Sequence, residues 1–151
     1  MSKINYTKED TISHDAIAAV LKNKTGAILM QKHVKYGFWT IPVGKVKKGQ
    51  TIEDGLKEEI EEETNLKIKN CREIKVKRYS YVRNESKIVV IGHLFEVIDY
   101  AGRMKNNEPQ KHSSQKFLSL SEVKKLPYLS DMTVLYLATL GFKRKAHLSA
   151  I

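Results

Sequence analysis

Cysteine is almost absent from this sequence: Cys71 stands alone, so no intramolecular disulfide can form and the fold must hold without a covalent staple. That usage suits a reducing compartment. Proline occurs three times and glycine eight times, both scattered, and no linker, repeat or low-complexity tract divides the 151 residues. The length suits one domain with one core. Long hydrophobic runs are missing as well. The longest, residues 16–21 and 134–140, fall far short of the ~20 residues that span a bilayer. Residues 1–10 are polar and of mixed charge, with no apolar stretch behind them. This predicts no secretion signal, no membrane partner and a cytoplasmic location. Acidic residues are the minority charge, 17 against 27 lysines and arginines, for a net charge of +10.

The few acids are concentrated. Seven of the 17 fall between Glu53 and Glu63, so a basic body surrounds one dense acidic patch. A solvated helix face explains most charge runs; a cation site in a surface that attracts polyanions is the alternative. Composition does not choose between them, but spacing does.

Along the chain, residues 16–22 and 27–33 read as two short strands joined by a hairpin-type turn at Asn23–Gly26. Residues 38–42 form an apolar piece closed by Pro42, followed by a loop over 44–49. A helix is expected over Ile52–Thr64, with Thr51 as N-cap, Asp54 completing a capping box and Asn65 in the left-handed C′ position. Residues 72–82 and 87–98 read as a longer hairpin around 83–86. The polar stretch 99–114 reads as a long loop, of the kind that is often functional in a compact domain. A short strand over 115–118, a helical turn over 121–126 capped by Ser121, and a helix over 131–140 complete the pattern. The order predicts an α/β (α+β) domain with a sheet covered by helices.

Glu59, Glu62 and Glu63 stand at i, i+3 and i+4 and share one helix face beside the apolar flank of Ile52 and Leu56, while Glu58 and Glu61 are expected to face solvent. Lys57 is the only base between Asp54 and Thr64. Like charges at i, i+4 cost roughly 0.2–0.5 kcal/mol on an exposed helix. A divalent cation offsets that cost, and carboxylate oxygens suit hard ions, Mg2+ first and Mn2+ or Ca2+ as competitors.

The segment Gly44-Lys-Val-Lys-Lys-Gly-Gln50, seven residues, then Glu58-Glu-Ile-Glu-Glu-Glu-Thr-Asn-Leu66 resembles the Nudix box. That signature is Gly, five residues, Glu, seven residues, Arg-Glu-hydrophobic-any-Glu-Glu-any-Gly-hydrophobic. Trp39-Thr40-Ile41-Pro42 resembles the family's Trp-any-Leu-Pro lead-in, and the order of elements matches over nearly the whole chain. Gln50 replaces Glu, Glu58 replaces Arg, Asn65 replaces Gly, and Val43 stands where a second Gly is common. The Gln50 amide can donate to the Glu58 carboxylate across the gap that a Glu–Arg pair closes in the family.

The resemblance implies an α/β/α sandwich with a mixed sheet and a catalytic loop-helix at 44–66. It implies an intact Mg2+ site, with Mn2+ as substitute, made by Glu59, Glu62 and Glu63 and extended by the Gly44 carbonyl. The implied reaction is hydrolysis of the diphosphate in a nucleotide derivative, water being activated by metal and base. Glu62 or Glu59 is expected as base, with Glu108 in the polar loop as the candidate outside the box.

Substrate contacts are expected from Tyr36 and Phe38, with His33 beside them, from Arg103, and from Tyr81 and Arg83. The last two lie on a basic, aromatic strand face with Lys75, Lys77 and Tyr79. His93 and His112 stand isolated in the sequence and receive no ligand role. ADP-ribose, dinucleoside polyphosphates, FAD and NAD(H) are the expected substrate class, with nucleotide-capped RNA a further partner; monomer and homodimer both stay open. The competing class is a Nudix-like module that binds a nucleotide or RNA without cutting it. Gln50, Glu58 and Asn65 would then mark decay, yet all three ligand-like glutamates are retained.

Overall fold

The computed structural model describes residues 11–146. In chain order the elements are β1 (Thr11–Val20), β2 (Ile28–His33), β3 (Trp39–Thr40), β4 (Val43–Lys45), α1 (Ile52–Thr64), β5 (Lys67–Arg83), β6 (Ser86–Ala101), β7 (His112–Leu118), α2 (Leu120–Lys125) and α3 (Asp131–Thr139). One sheet has the order β4-β1-β6-β5, with β1 and β6 parallel and the other pairs antiparallel. The second is the antiparallel set β3-β2-β7.

The apolar run from Ala16 to Leu21 is fully buried because β1 is central and covered on both faces, where a continuous run replaces alternation. Ile17, Ala19 and Leu29 pack with Phe95 and Val97 against Leu56 and Ile60 of α1. Ala18, Val20, Ile28, Met30 and Leu94 face Val123 of α2 and Met132 and Leu135 of α3. The layers are helix, sheet, helix, the mixed-sheet sandwich expected. Leu56 and Ile60 are 0% exposed, and burial of each contributes about 1.5–3 kcal/mol. Among the described residues no helix is long and apolar enough to cross a membrane.

Several elements differ from the sequence-based expectation. The turn at Asn23–Gly26 forms, with Asn23 Oδ1 accepting from the Thr25 and Ala27 amides at 3.0 Å each. Its flanking strands nevertheless separate into different sheets after the Leu29 N–Leu21 O bond, because β4 and β6 occupy both edges of β1. Part of the expected 44–49 loop is strand: Val43 pairs with Ala18 and packs on the α3-side core, which explains a side chain where glycine is common. The second hairpin is longer than expected, and the polar loop shrinks to 102–111. The cap of α2 is Ser119 rather than Ser121. Ser119 Oγ accepts from the Glu122 amide while the Glu122 carboxylate accepts from the Ser119 amide, so the glutamate three positions on selects the cap.

Helix α1 has the expected bounds. Thr51 Oγ1 accepts from the Asp54 amide at 3.1 Å, and Asn65 takes φ 65°. Its C-terminal carbonyls, which have no partner within the helix, are met by the loop 102–111. Lys105 donates its amide to Thr64 O at 2.9 Å and Asn107 to Glu63 O at 3.3 Å. The long loop is thereby fixed to the acidic end of the helix.

Candidate active site

Strand β4 carries Gly44 alongside α1. A Cβ at position 44 would stand 2.6 Å from both Cγ and Oε2 of Glu59, so a side chain there would force the Glu59 carboxylate to move. The following turn is tied back to the helix. Gln50 Oε1 accepts from the Lys47 amide at 3.0 Å, its Nε2 donates to Glu58, and Lys47 Nζ pairs with the same carboxylate. The Gln50–Glu58 contact is the one the sequence suggested. Glu58 does not simply face solvent as expected, and Lys47 is an added partner. The hydrogen bond from Lys47 is the main reason the Glu58 carboxyl is held below the usual carboxylate range.

The three ligand-like glutamates occupy different environments. Glu62 is exposed, 3.8 Å from Lys47 Nζ. Glu59 is half-buried, and burial, then the charge of Glu62, raises its pKa. Glu63 is 0% exposed, and neither carboxylate oxygen has a hydrogen-bond partner. Burial is the main cause that pushes its carboxyl up to about 8; Lys111 opposes it, and Glu59 and Glu108 add to it. Its neighbours are Lys111 Nζ at 3.8 Å and His112 Nε2 at 3.6 Å. Burial, with the charges of Lys111 and His33, brings His112 down to about 4, so its contact with Glu63 is not an ion pair at neutral pH.

A buried carboxylate with no hydrogen bond and one distant ammonium is costly, and a hard cation is the group that relieves it. The donor set therefore fits a divalent ion. Among the described residues, no three His, Cys, Asp or Glu side chains are gathered closely enough to hold one as they stand.

Glu108 reaches this region through the loop. Its amide donates to Asn106 Oδ1 at 3.3 Å, and its carbonyl accepts from the Lys111 and His112 amides. It lies close enough for its charge to raise both Glu59 and Glu63. Arg103 is exposed and stands outside the lining of the aromatic cleft beside Glu63. The pull of the loop onto the helix end leaves only its carbonyl in use, accepting from Asn65 Nδ2 at 2.9 Å.

A cleft of about 360 Å³ opens beside Glu63. One wall is an aromatic group in which Tyr36 and Phe38 stack at 5.6 Å and His33 stands 4.8 Å from Tyr36. His33 Nδ1 accepts from the Lys35 and Tyr36 amides, which leaves the ring proton on Nε2. Tyr81 and Arg83 line the cleft as well, with the guanidinium 5.6 Å from the Tyr81 ring. Tyr79, on the same strand face, packs into the α3-side core instead, and its hydroxyl donates to Asp131 O at 3.5 Å.

Neither of the histidines set aside as isolated is so. His93 is held between Asp15 at 2.9 Å and Glu73 at 2.6 Å. His112 joins a buried network at Glu63. Gln115 donates to Gln31 Oε1 at 2.7 Å and to Glu63 O at 3.1 Å, and Gln31 Nε2 stands 3.5 Å from His112 Nε2. Gln31 and His112 escaped sequence analysis because their partners lie on distant strands. A glutamine ending the apolar run Ile28–Met30 was the available signal.

Comparison with known proteins agrees with this geometry. The NUDIX domain family profile matches residues 12–136. The MutT NUDIX hydrolase from Burkholderia pseudomallei superposes with a TM-score of 0.69 at 23% identity, covering 83% of this chain and 96% of that one. A MutT protein from Bacillus halodurans gives 0.67 at 19% identity over 87% and 84%. A Caenorhabditis elegans Ap4A hydrolase gives 0.57 at 18% identity over 85% and 99%. No curated protein matches the chain. The profile spans β1 to α3 and includes the loop-helix that presents Glu59, Glu62 and Glu63, and the chain belongs to the NUDIX domain family, the Nudix hydrolases.

Proposed function

We propose that this chain is a cytoplasmic hydrolase that splits the diphosphate linkage of nucleoside diphosphate derivatives, using Mg2+ with Mn2+ as substitute. Glu59, Glu62, Glu63 and the Gly44 carbonyl are the proposed ligands. The observation that carries the reading is the Glu63 carboxyl, buried with neither oxygen hydrogen-bonded, with Lys111 Nζ 3.8 Å away, and pushed up to about 8. When bound, the ion supplies neutralisation of diphosphate charge and activation of water.

The remaining roles belong to side chains. Tyr36 and Phe38 offer a stacking wall for a nucleobase, with Tyr81 in the same cleft. Arg83 and Lys111 are cations in that cleft and suit phosphate oxygens. A carboxylate oxygen of Glu59 or Glu62 takes the proton of the attacking water. Glu108 is the alternative base, placed by the loop near Glu59 and Glu63.

The substrate class comprises ADP-ribose, dinucleoside polyphosphates, FAD and NAD(H), with nucleotide-capped RNA a further candidate. The C. elegans neighbour is itself an Ap4A hydrolase, which supports the class. One observation favours the binding-module reading, namely that the three carboxylates are not gathered around a single point.

The test is chromatographic detection of AMP from ADP-ribose, diadenosine triphosphate, FAD and NADH with Mg2+, beside a Glu62→Gln variant. Release from at least one compound, reduced on the order of 100-fold or more in the variant, supports the hydrolase. Absence of release from all four and from capped RNA would leave the binding module.

A further inference from the structure

A second and larger cleft, about 920 Å³, adjoins the aromatic one. Its wall comes from β1 and the turn after β4: Asp15, Lys45, Lys47, Lys48, Gln50 and Glu59 are among its residues. The two clefts share His14 and Lys45, so they meet at β4. Glu63 lines the aromatic cleft and Glu59 the second, with the side-chain-free Gly44 packed against Glu59. A substrate whose base lies on Tyr36 and Phe38, and whose scissile diphosphate lies by these glutamates, continues into the second cleft.

The chemistry of the two clefts differs. Among the described residues the second contains no Phe, Tyr or Trp ring, and its one aliphatic side chain, Val46, is 7% exposed. The imidazole of His14, shared with the first cleft, is the one ring it offers a second base. What it offers besides is positive charge. Lys47 is already engaged with Glu58 and Glu62, but among the described residues Lys45 and Lys48 form no ion pair. Of the acids in the cleft, Asp15 is held by His93 at 2.9 Å, and Glu59 belongs to the proposed cation site. Among the described residues, two lysines therefore line the cleft with no carboxylate paired to them. A neutral sugar beyond the scissile linkage would leave them so, whereas additional phosphates would pair with them.

We infer that the lysine cleft is a binding site for phosphate groups beyond the scissile diphosphate. Resting on the hydrolase reading, this makes a chain of several phosphates a better substrate than a diphosphate ending in a neutral sugar. Lys45 and Lys48 are the specificity-determining residues.

The experiment compares wild type with Lys45→Ala/Lys48→Ala and Lys45→Arg/Lys48→Arg on diadenosine tetraphosphate and ADP-ribose, with Mg2+. In the alanine variant the KM for the tetraphosphate rises about tenfold more than that for ADP-ribose, and the arginine variant restores most of the difference. The wild-type KM for the tetraphosphate also rises more steeply with salt than that of the alanine variant. Equal changes on both substrates, or none, would overturn the site. Calorimetric titration of inorganic tripolyphosphate into metal-free protein separates this from failure of the hydrolase. If neither nucleotide is cut, binding that weakens in the alanine variant still upholds the site, and binding that is unchanged or absent sinks it.

Discussion

Glu58 and Glu63 lie little more than one turn apart on α1, and their surroundings give them opposite properties. Glu58, at the end facing the turn after β4, is partly exposed and bonded to Lys47 and Gln50, and its carboxyl is held low. Glu63, at the end covered by loop 102–111, is buried without hydrogen-bond partners, and its carboxyl is driven up to about 8. The first is a strap whose contacts are complete. The second is a donor whose contacts are not. On a helix with seven acids between Glu53 and Glu63, satisfaction separates structural from functional carboxylates better than residue type does.

Two substitutions sharpen that difference. Gly44→Ala acts on the donor side, since its methyl would strike the Glu59 carboxylate at 2.6 Å. Activity in an AMP-release assay should fall about 100-fold, the loss typical of ångström-scale misplacement, with melting little changed. Full activity would show that the close approach is irrelevant to function. Gln50→Glu acts on the strap, setting a second carboxylate against Glu58. The melting temperature should fall, by about 1 °C or more, with kcat nearly constant. An unchanged melting temperature would mean that Lys47 alone maintains the strap.

What was legible in the sequence was local. The bounds of α1 followed from Thr51 and Asn65, whose caps are short-range devices, and the shared face of Glu59, Glu62 and Glu63 followed from helical spacing. Val43 became intelligible only through its pairing with Ala18, and the strands flanking Asn23–Gly26 could not be assigned to separate sheets without knowing that β6 lies beside β1. The burial of Glu63 was equally hidden. It depends on Gln31, Gln115 and His112, brought up by β2 and β7. Lys45 and Lys48 looked like two more lysines on a basic chain until the cleft placed them together.

The most direct test of the account is the melting temperature at pH 8.5, with and without Mn2+, of wild type, Glu58→Gln and Glu63→Gln. Because the Glu63 carboxyl titrates higher in the folded protein than the ordinary 4.5, the metal-free fold loses stability as pH rises from there through about 8. A bound cation reverses that loss. At about a hundredfold excess over Kd, Mn2+ should raise the wild-type melting temperature by about 5–10 °C. Glu58→Gln should melt lower yet keep the full Mn2+ gain. Glu63→Gln should melt no lower than metal-free wild type and gain almost nothing. An undiminished Mn2+ gain in Glu63→Gln would contradict the assignment of this buried carboxylate to the cation.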